Sequence, residues 1–168
     1  MKNLKKLLSI AVITAALAGC APVISKDTLA TVDRGIKFED VVKDPGAYTG
    51  KNVVFGGTII NVENTGDRTV LEVVQQGMNS QLNPVYTDES AGRFLVDFPG
   101  FKDPAIYSAG KRLTVAGRVK GSLEKKLGKG TYRYPVIEPS EHYLWPRRGG
   151  YEEPSIGIGI GIGYTHID

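Results

Sequence analysis

The 168 residues are 41% hydrophobic with a formal charge of +3, enough for one core in a domain of about 100–150 residues plus appendages. Lys2, Lys5 and Lys6 all precede the first apolar run, and without residues 1–19 the chain holds 18 basic and 18 acidic side chains. That neutral remainder lacks the positive excess that meets phosphate, which argues against nucleic acid as a partner.

Residues 1–19 read as a cleaved export signal. A lysine-bearing start leads into the uncharged run from Leu7 to Ala18, which closes on small residues, whereas a spanning helix needs around 20 apolar residues. The alternative is an uncleaved anchor through Ala21, Pro22, Val23 and Ile24, which reaches spanning length only by including Pro22. Leu17, Ala18, Gly19 and Cys20 resemble the bacterial lipobox, a signal-peptidase motif whose cysteine is diacylated, becomes the mature N-terminus and is then acylated on its amine. Cys20 is the only cysteine, so it has no internal disulfide partner, and an exported free thiol is open to oxidation. An intermolecular disulfide is the other reading of Cys20. Each acyl chain contributes about 0.8 kcal/mol per buried methylene, so several chains hold a protein on a bilayer where one is marginal. By the same resemblance, Ala21 in place of an aspartate implies the outer membrane, inner leaflet, facing the periplasm. The covalent acyl chains are the only prosthetic groups expected.

Residues 20–34 are expected to form a lipidated tether, since APVISKDTLATVDR shows no sustained periodicity. At about 3.3 Å per residue its contour would hold a domain several tens of ångströms clear of the head groups. From Ile36, Phe38, Val41 and Val42 fall at helical spacing until Asp44-Pro45-Gly46 stops the turn. Lys51–Gln76 reads as two Val/Ile/Thr-rich strands around a turn at Asn64-Thr65-Gly66-Asp67. Further strands are expected at Gly92–Phe98, Lys111–Gly121 and Thr131–Glu138, with a short helix after Asp103, where Pro104 takes the first helical position.

Five strands with a helix between the third and fourth is the element order of an OB-type barrel. The fold expected for residues 35–148 is therefore mainly β, a small five-stranded OB-like antiparallel barrel with one or two short helices; another antiparallel sheet or a sandwich is the alternative. Gly56-Gly57 in mid-strand, with Gly117 and Gly121, permits the bulges and coiling that closure requires.

Tyr48-Thr49-Gly50-Lys51, FGGTIINV (Phe55–Val62), Leu71–Val73, Gly92–Leu95, GFKDP (Gly100–Pro104), TVAGRVKG (Thr114–Gly121) and Trp145 together resemble the Slp family of starvation-inducible outer-membrane lipoproteins of Gram-negative bacteria. The resemblance covers residues 34–148 and implies a lipoprotein linked to starvation or envelope stress. It implies no enzymatic activity and no catalytic residues.

The side-chain inventory points the same way. Only His142 and His166 are available, and neither has a second ligand at metal-binding spacing or a nucleophile in a known motif. Neither an enzyme nor a metal site is expected. For binding, the polar loop Gly77–Ala91 offers Asn79, Gln81, Asn83, Tyr86 and Asp88, and Arg93, Tyr132, Arg133 and Tyr134 add rings and cations. These suit sugar faces and hydroxyls, so an envelope protein or a cell-wall glycan is the expected partner beside the lipid bilayer; alternatively, Tyr132 and Tyr134 cap the core and the loop is merely solvated. Trp145, beside Arg147 and Arg148, reads as a plug against the barrel or as a residue at a lipid interface. In the tail, residues 149–168, Ile156, Ile158, Ile160 and Ile162 alternate with glycines. An extended chain would carry all four on one face, as a flexible tail, a strand added to a partner or a surface for self-association.

Overall fold

The computed structural model describes residues 22–147. The export signal, the lipobox with Cys20, and the Gly/Ile tail with His166 lie outside the described residues. Five strands, β1 (Asn52–Thr65), β2 (Arg68–Gln76), β3 (Arg93–Pro99), β4 (Arg112–Leu127) and β5 (Gly130–Leu144), close into a barrel in the order β1-β2-β3-β5-β4. This is the mainly β, five-stranded OB-like barrel that the sequence leads one to expect. It is mixed rather than wholly antiparallel, because β3 and β5 run parallel through the pairs Leu95–Val136 and Val96–Ile137.

Alternation along the strands builds the core. Val53, Phe55 and Ile59 of β1, Leu71 and Val73 of β2, Phe94, Val96 and Phe98 of β3, Leu113, Val115 and Val119 of β4 and Ile137 of β5 are buried together. Each such side chain contributes about 1.5–3 kcal/mol on leaving water. Gly57 and Gly117 set the close approaches: a Cβ at Gly57 would stand 2.0 Å from the Val74 carbonyl oxygen, and one at Gly117 would stand 2.2 Å from that of Glu138. The ladders carry one extra residue at three places, Ile60 on β1, Lys120 on β4 and, opposite Ala116 and Gly117, Ser140 on β5. These bulges bend the strands into the closed wall.

Two short helices precede the sheet, α1 (Lys26–Thr31) and α2 (Phe38–Lys43). In α2, Phe38 and Val41 are buried, and the Phe38 ring packs edge-on against Phe55 at 5.1 Å and tilted against Phe94 at 5.6 Å. α2 thereby stoppers the barrel end where β1 and β3 begin. Pro45 then opens a 3-10 turn, Pro45–Tyr48, capped by the Asp44 side chain, which accepts from the Ala47 N–H.

The helix expected after Asp103 does not form; residues 104–106 make a single turn. The Asp103 carbonyl accepts from the N–H groups of Ile106 and Tyr107, and its side chain accepts from the Ala105 N–H. Gly110, at φ +85°, turns the chain into β4 before a second helical turn can add its hydrogen bonds. Tyr107 instead packs beside Phe98 and His142, covering the other barrel end.

The stretch taken for a tether is fastened to the barrel. Ile24 is fully buried; the Ser25 N–H and hydroxyl both donate to the Glu141 carboxylate, at 2.8 and 2.7 Å; and the Asp33 N–H donates to the Asn52 carbonyl. Ser25 also caps α1 by accepting from the Thr28 N–H.

Candidate functional site

OB-type barrels bind extended ligands on the outer face of strands 2 and 3, between the β1–β2 and β4–β5 loops. Strand alternation here turns Arg68, Val70, Glu72 and Val74 of β2 and Arg93 and Asp97 of β3 to that face. Their charges are matched in pairs across the strands. Arg68 Nε lies 2.7 Å from Asp97 Oδ1 and Arg93 Nη1 lies 2.8 Å from Glu72 Oε1. From Asp97 the lattice continues to Lys120 at 3.1 Å, on to Glu138 at 3.9 Å, and from Glu138 to Arg118 at 2.7 Å. Burial works against the charged form of Asp97, but hydrogen bonds from Arg68 and Lys120 outweigh it and hold the carboxyl below the usual range. Over the parallel seam, where β3 and β5 share only two paired positions, this lattice ties β2, β3, β5 and β4 together.

The residues singled out from the sequence do not form one face. Arg93, Tyr132 and Tyr134 do meet. Tyr132 and Tyr134 pack edge-to-face at 4.7 Å, the Tyr132 hydroxyl accepts from the Arg93 backbone N–H, and the Tyr134 hydroxyl donates to Glu72 at 2.9 Å. Tyr134 is 1% exposed, and burial, reinforced by the neighbouring Glu72, pushes its phenol pKa up. Glu72, which accepts from both Arg93 and Tyr134, is the residue the sequence reading missed; the partners lie 21 and 62 positions away along the chain. Arg133 pairs with Glu124 at 3.3 Å. Tyr86 is 74% exposed, in a shallow depression with Thr58, Arg112 and Arg147.

The polar loop between β2 and β3 is mostly used up by the fold. Asn79 accepts from the N–H groups of Gln81 and Asn83, and Met78 and Pro84 form an isolated bridge. This small hairpin is pinned to β4, because Arg112 donates to Asn83 and to the Pro84 carbonyl and Thr114 donates to the Leu82 carbonyl. Asp88 stays exposed.

Pinning the loop builds a groove of about 670 Å³ between the N-terminal segment and the barrel. Val23, Leu29, Val32, Ile36, Leu82 and Trp145 give it an apolar lining, with Asp33, Arg34 and Gln81 also lining it. Trp145 is held from three sides. Its Nε1–H donates to Thr114 at 2.9 Å, its ring packs on Tyr143 at 4.8 Å, and the Arg112 guanidinium lies 5.8 Å from it. Nothing local in the sequence announces this groove, because its walls come from three distant segments.

His142 is the one described histidine, and it is built into the barrel end. Its Nε2 shares a hydrogen bond of 2.9 Å with the Tyr107 hydroxyl, and the Phe98 ring packs on it at 4.8 Å. Burial, with nearby Lys102 adding to it and Glu141 opposing, lowers the imidazole pKa from its ordinary value. Among the described residues no three His, Cys, Asp or Glu side chains come together as a metal site, and no helix is long and apolar enough to cross a membrane.

A family model described as "Outer membrane lipoprotein Slp family" matches residues 17–159. Among curated proteins, the uncharacterized lipoprotein YeaY of Escherichia coli K12 is 30% identical over 105 residues, 62% of this chain and 54% of that protein. The outer membrane protein Slp of the same organism is 30% identical over 111 residues, 66% of this chain and 58% of that protein. The matched stretch thus spans little more than half the length of these relatives. Among solved structures, an aspartyl-tRNA synthetase from Entamoeba histolytica matches 65% of this chain and 20% of its own, at TM-score 0.41 and 17% identity. A small single-stranded DNA-binding protein from Streptomyces coelicolor matches 60% of this chain and 98% of its own, at TM-score 0.35 and 14% identity.

Proposed function

The chain belongs to the Slp family of outer membrane lipoproteins, and from that premise we propose a lipid-anchored domain held through acylated Cys20, facing the periplasm, whose work is structural or binding rather than catalytic. The carrying observation is how the face that OB-type barrels use for ligands is occupied: Arg68 with Asp97, and Arg93 with Glu72 and Tyr134. These charges stabilise the barrel and offset one another, leaving no basic track for a polyanion. An envelope protein, recognised outside that face, is the partner this reading favours, in the setting of starvation or envelope stress that the family resemblance implies. A cell-wall glycan or peptide is the second reading. It is favoured by one observation, the exposed Tyr86 ring beside Arg112 and Arg147.

Acylation confines the domain to a thin layer beside the membrane, which raises its effective concentration toward other envelope components. Cys20→Ala is expected to abolish palmitate labelling and to move the protein from the membrane to the soluble fraction. Persistent labelling of that variant would refute the anchor. For the second reading, Tyr86→Ala is expected to weaken retention on purified cell-wall sacculi, and the absence of any retention by the unaltered protein would end it.

A further inference from the structure

The packing of the N-terminal segment limits how far the domain can stand from its own anchor. Consecutive Cα atoms are about 3.8 Å apart, so Cys20 lies within about 8 Å of Pro22 and within about 15 Å of Ile24. Pro22 lines the apolar groove and Ile24 is fully buried. Beyond Ile24, the contacts of Ser25 with Glu141 and of Asp33 with Asn52 hold the segment down at both ends. The contour of a free tether is therefore not available to lift the domain clear of the head groups. Acyl chains on Cys20 would leave the protein at the mouth of the groove.

We propose that the groove bounded by Val23, Leu29, Val32, Ile36, Leu82 and Trp145 lies against the lipid leaflet that holds the acyl chains, so that the domain rests on the membrane by this face. The inference rests on the acylation of Cys20 and adds to it an orientation and a contact surface. The composition of the groove fits that place. Aliphatic side chains form its lining, Asp33, Arg34 and Gln81 supply polar groups, and Trp145 presents its ring while Thr114 satisfies its N–H. An amphipathic ring with an apolar body and a partnered polar end suits the boundary between head groups and acyl chains. The tip of the β4–β5 hairpin points elsewhere. Along β5, Gly130 is eleven residues from Glu141, roughly 35 Å at strand rise.

Trp145 is the chain's only tryptophan, so the unaltered protein carries its own probe. The full chain, extracted with its native acyl groups, would be reconstituted in phosphatidylethanolamine–phosphatidylglycerol vesicles with and without lipids brominated on their acyl chains. Vesicle-bound protein is expected to lose Trp145 emission several-fold to the brominated lipid and to shift to the blue. The paired variant Trp145→Phe, Leu127→Trp, which moves the probe to the hairpin tip, is expected to lose none. Emission from Trp145 that is unchanged in bound protein, or equal quenching at both positions, would overturn the docking face while leaving the anchor intact. A Trp145 already shielded from aqueous iodide, and unmoved by vesicles, would mean that the groove is covered in the protein before it meets lipid and overturn the proposal likewise. Protein that does not sediment with vesicles at all would overturn the anchor itself. The wild-type measurement stands alone if the paired variant fails to fold.

Discussion

At Gly57 and Gly117 a single methyl group would meet backbone rather than a movable side chain. Alanine at either position must push neighbouring strands apart, and overpacking of that kind costs about 1–3 kcal/mol. Each substitution is therefore expected to lower the thermal midpoint clearly; an unchanged midpoint would mean that the strands do not approach as closely as described. The sequence marks Gly56-Gly57 as a bulge site, but the pairing there is regular and the β1 bulge falls between Ile59 and Asn61, while Gly57 serves the close approach to Val74. His142 was not legible. Its partners Tyr107 and Phe98 come from other elements, and nothing in its local sequence signals burial. Because the fold lowers its pKa, the unfolded chain binds the proton more readily. Stability is then fully present above the ordinary histidine value of about 6.5 and is progressively lost as pH falls below it toward the lower folded value. His142→Gln is expected to flatten the stability–pH curve in that window, and an unaltered curve would contradict the lowered imidazole pKa.

Among the elements, the strands announce themselves through alternation and through the Asn64–Asp67 turn, and their starts lie within about a residue of expectation. β4 and β5 run beyond it, to Leu127 and Leu144, because pairing with each other sustains them where the sequence turns polar or carries Pro139. The pairing of β5 with β3 is non-local, and nothing in one strand records it. α2 was readable from its spacing, and its stopper role makes Phe38 a sharp test. Phe38→Ala leaves a hole beneath Phe55 and Phe94 and is expected to cost about 3–5 kcal/mol in chemical denaturation; a cost near zero would show that α2 does not close the barrel. The N-terminal segment was misleading because a single apolar residue, Ile24, carries its burial. Glu141→Ala removes the acceptor for Ser25, so amide exchange is expected to accelerate in residues 25–31 while the barrel strands stay protected. Unchanged exchange in α1 would mean that Glu141 does not hold the segment.

For the whole molecule, the barrel, the ion lattice over its parallel seam and the fastened N-terminal segment make one body whose nearest described residue is two positions from Cys20. The lipobox reading rests on a local motif that depends on residue order alone, and it lies outside the described residues. Of Tyr86, Arg93, Tyr132, Arg133 and Tyr134, only Arg93, Tyr132 and Tyr134 come together, through Glu72 and the closed sheet, a non-local pairing that no single strand records. The measurement that bears most directly on the account is the mass of the N-terminal peptide of protein extracted from membranes. The account predicts that this peptide begins at Cys20 with a blocked amine and carries acyl chains. A peptide that begins elsewhere, or one bearing Cys20 as a free thiol, would contradict it.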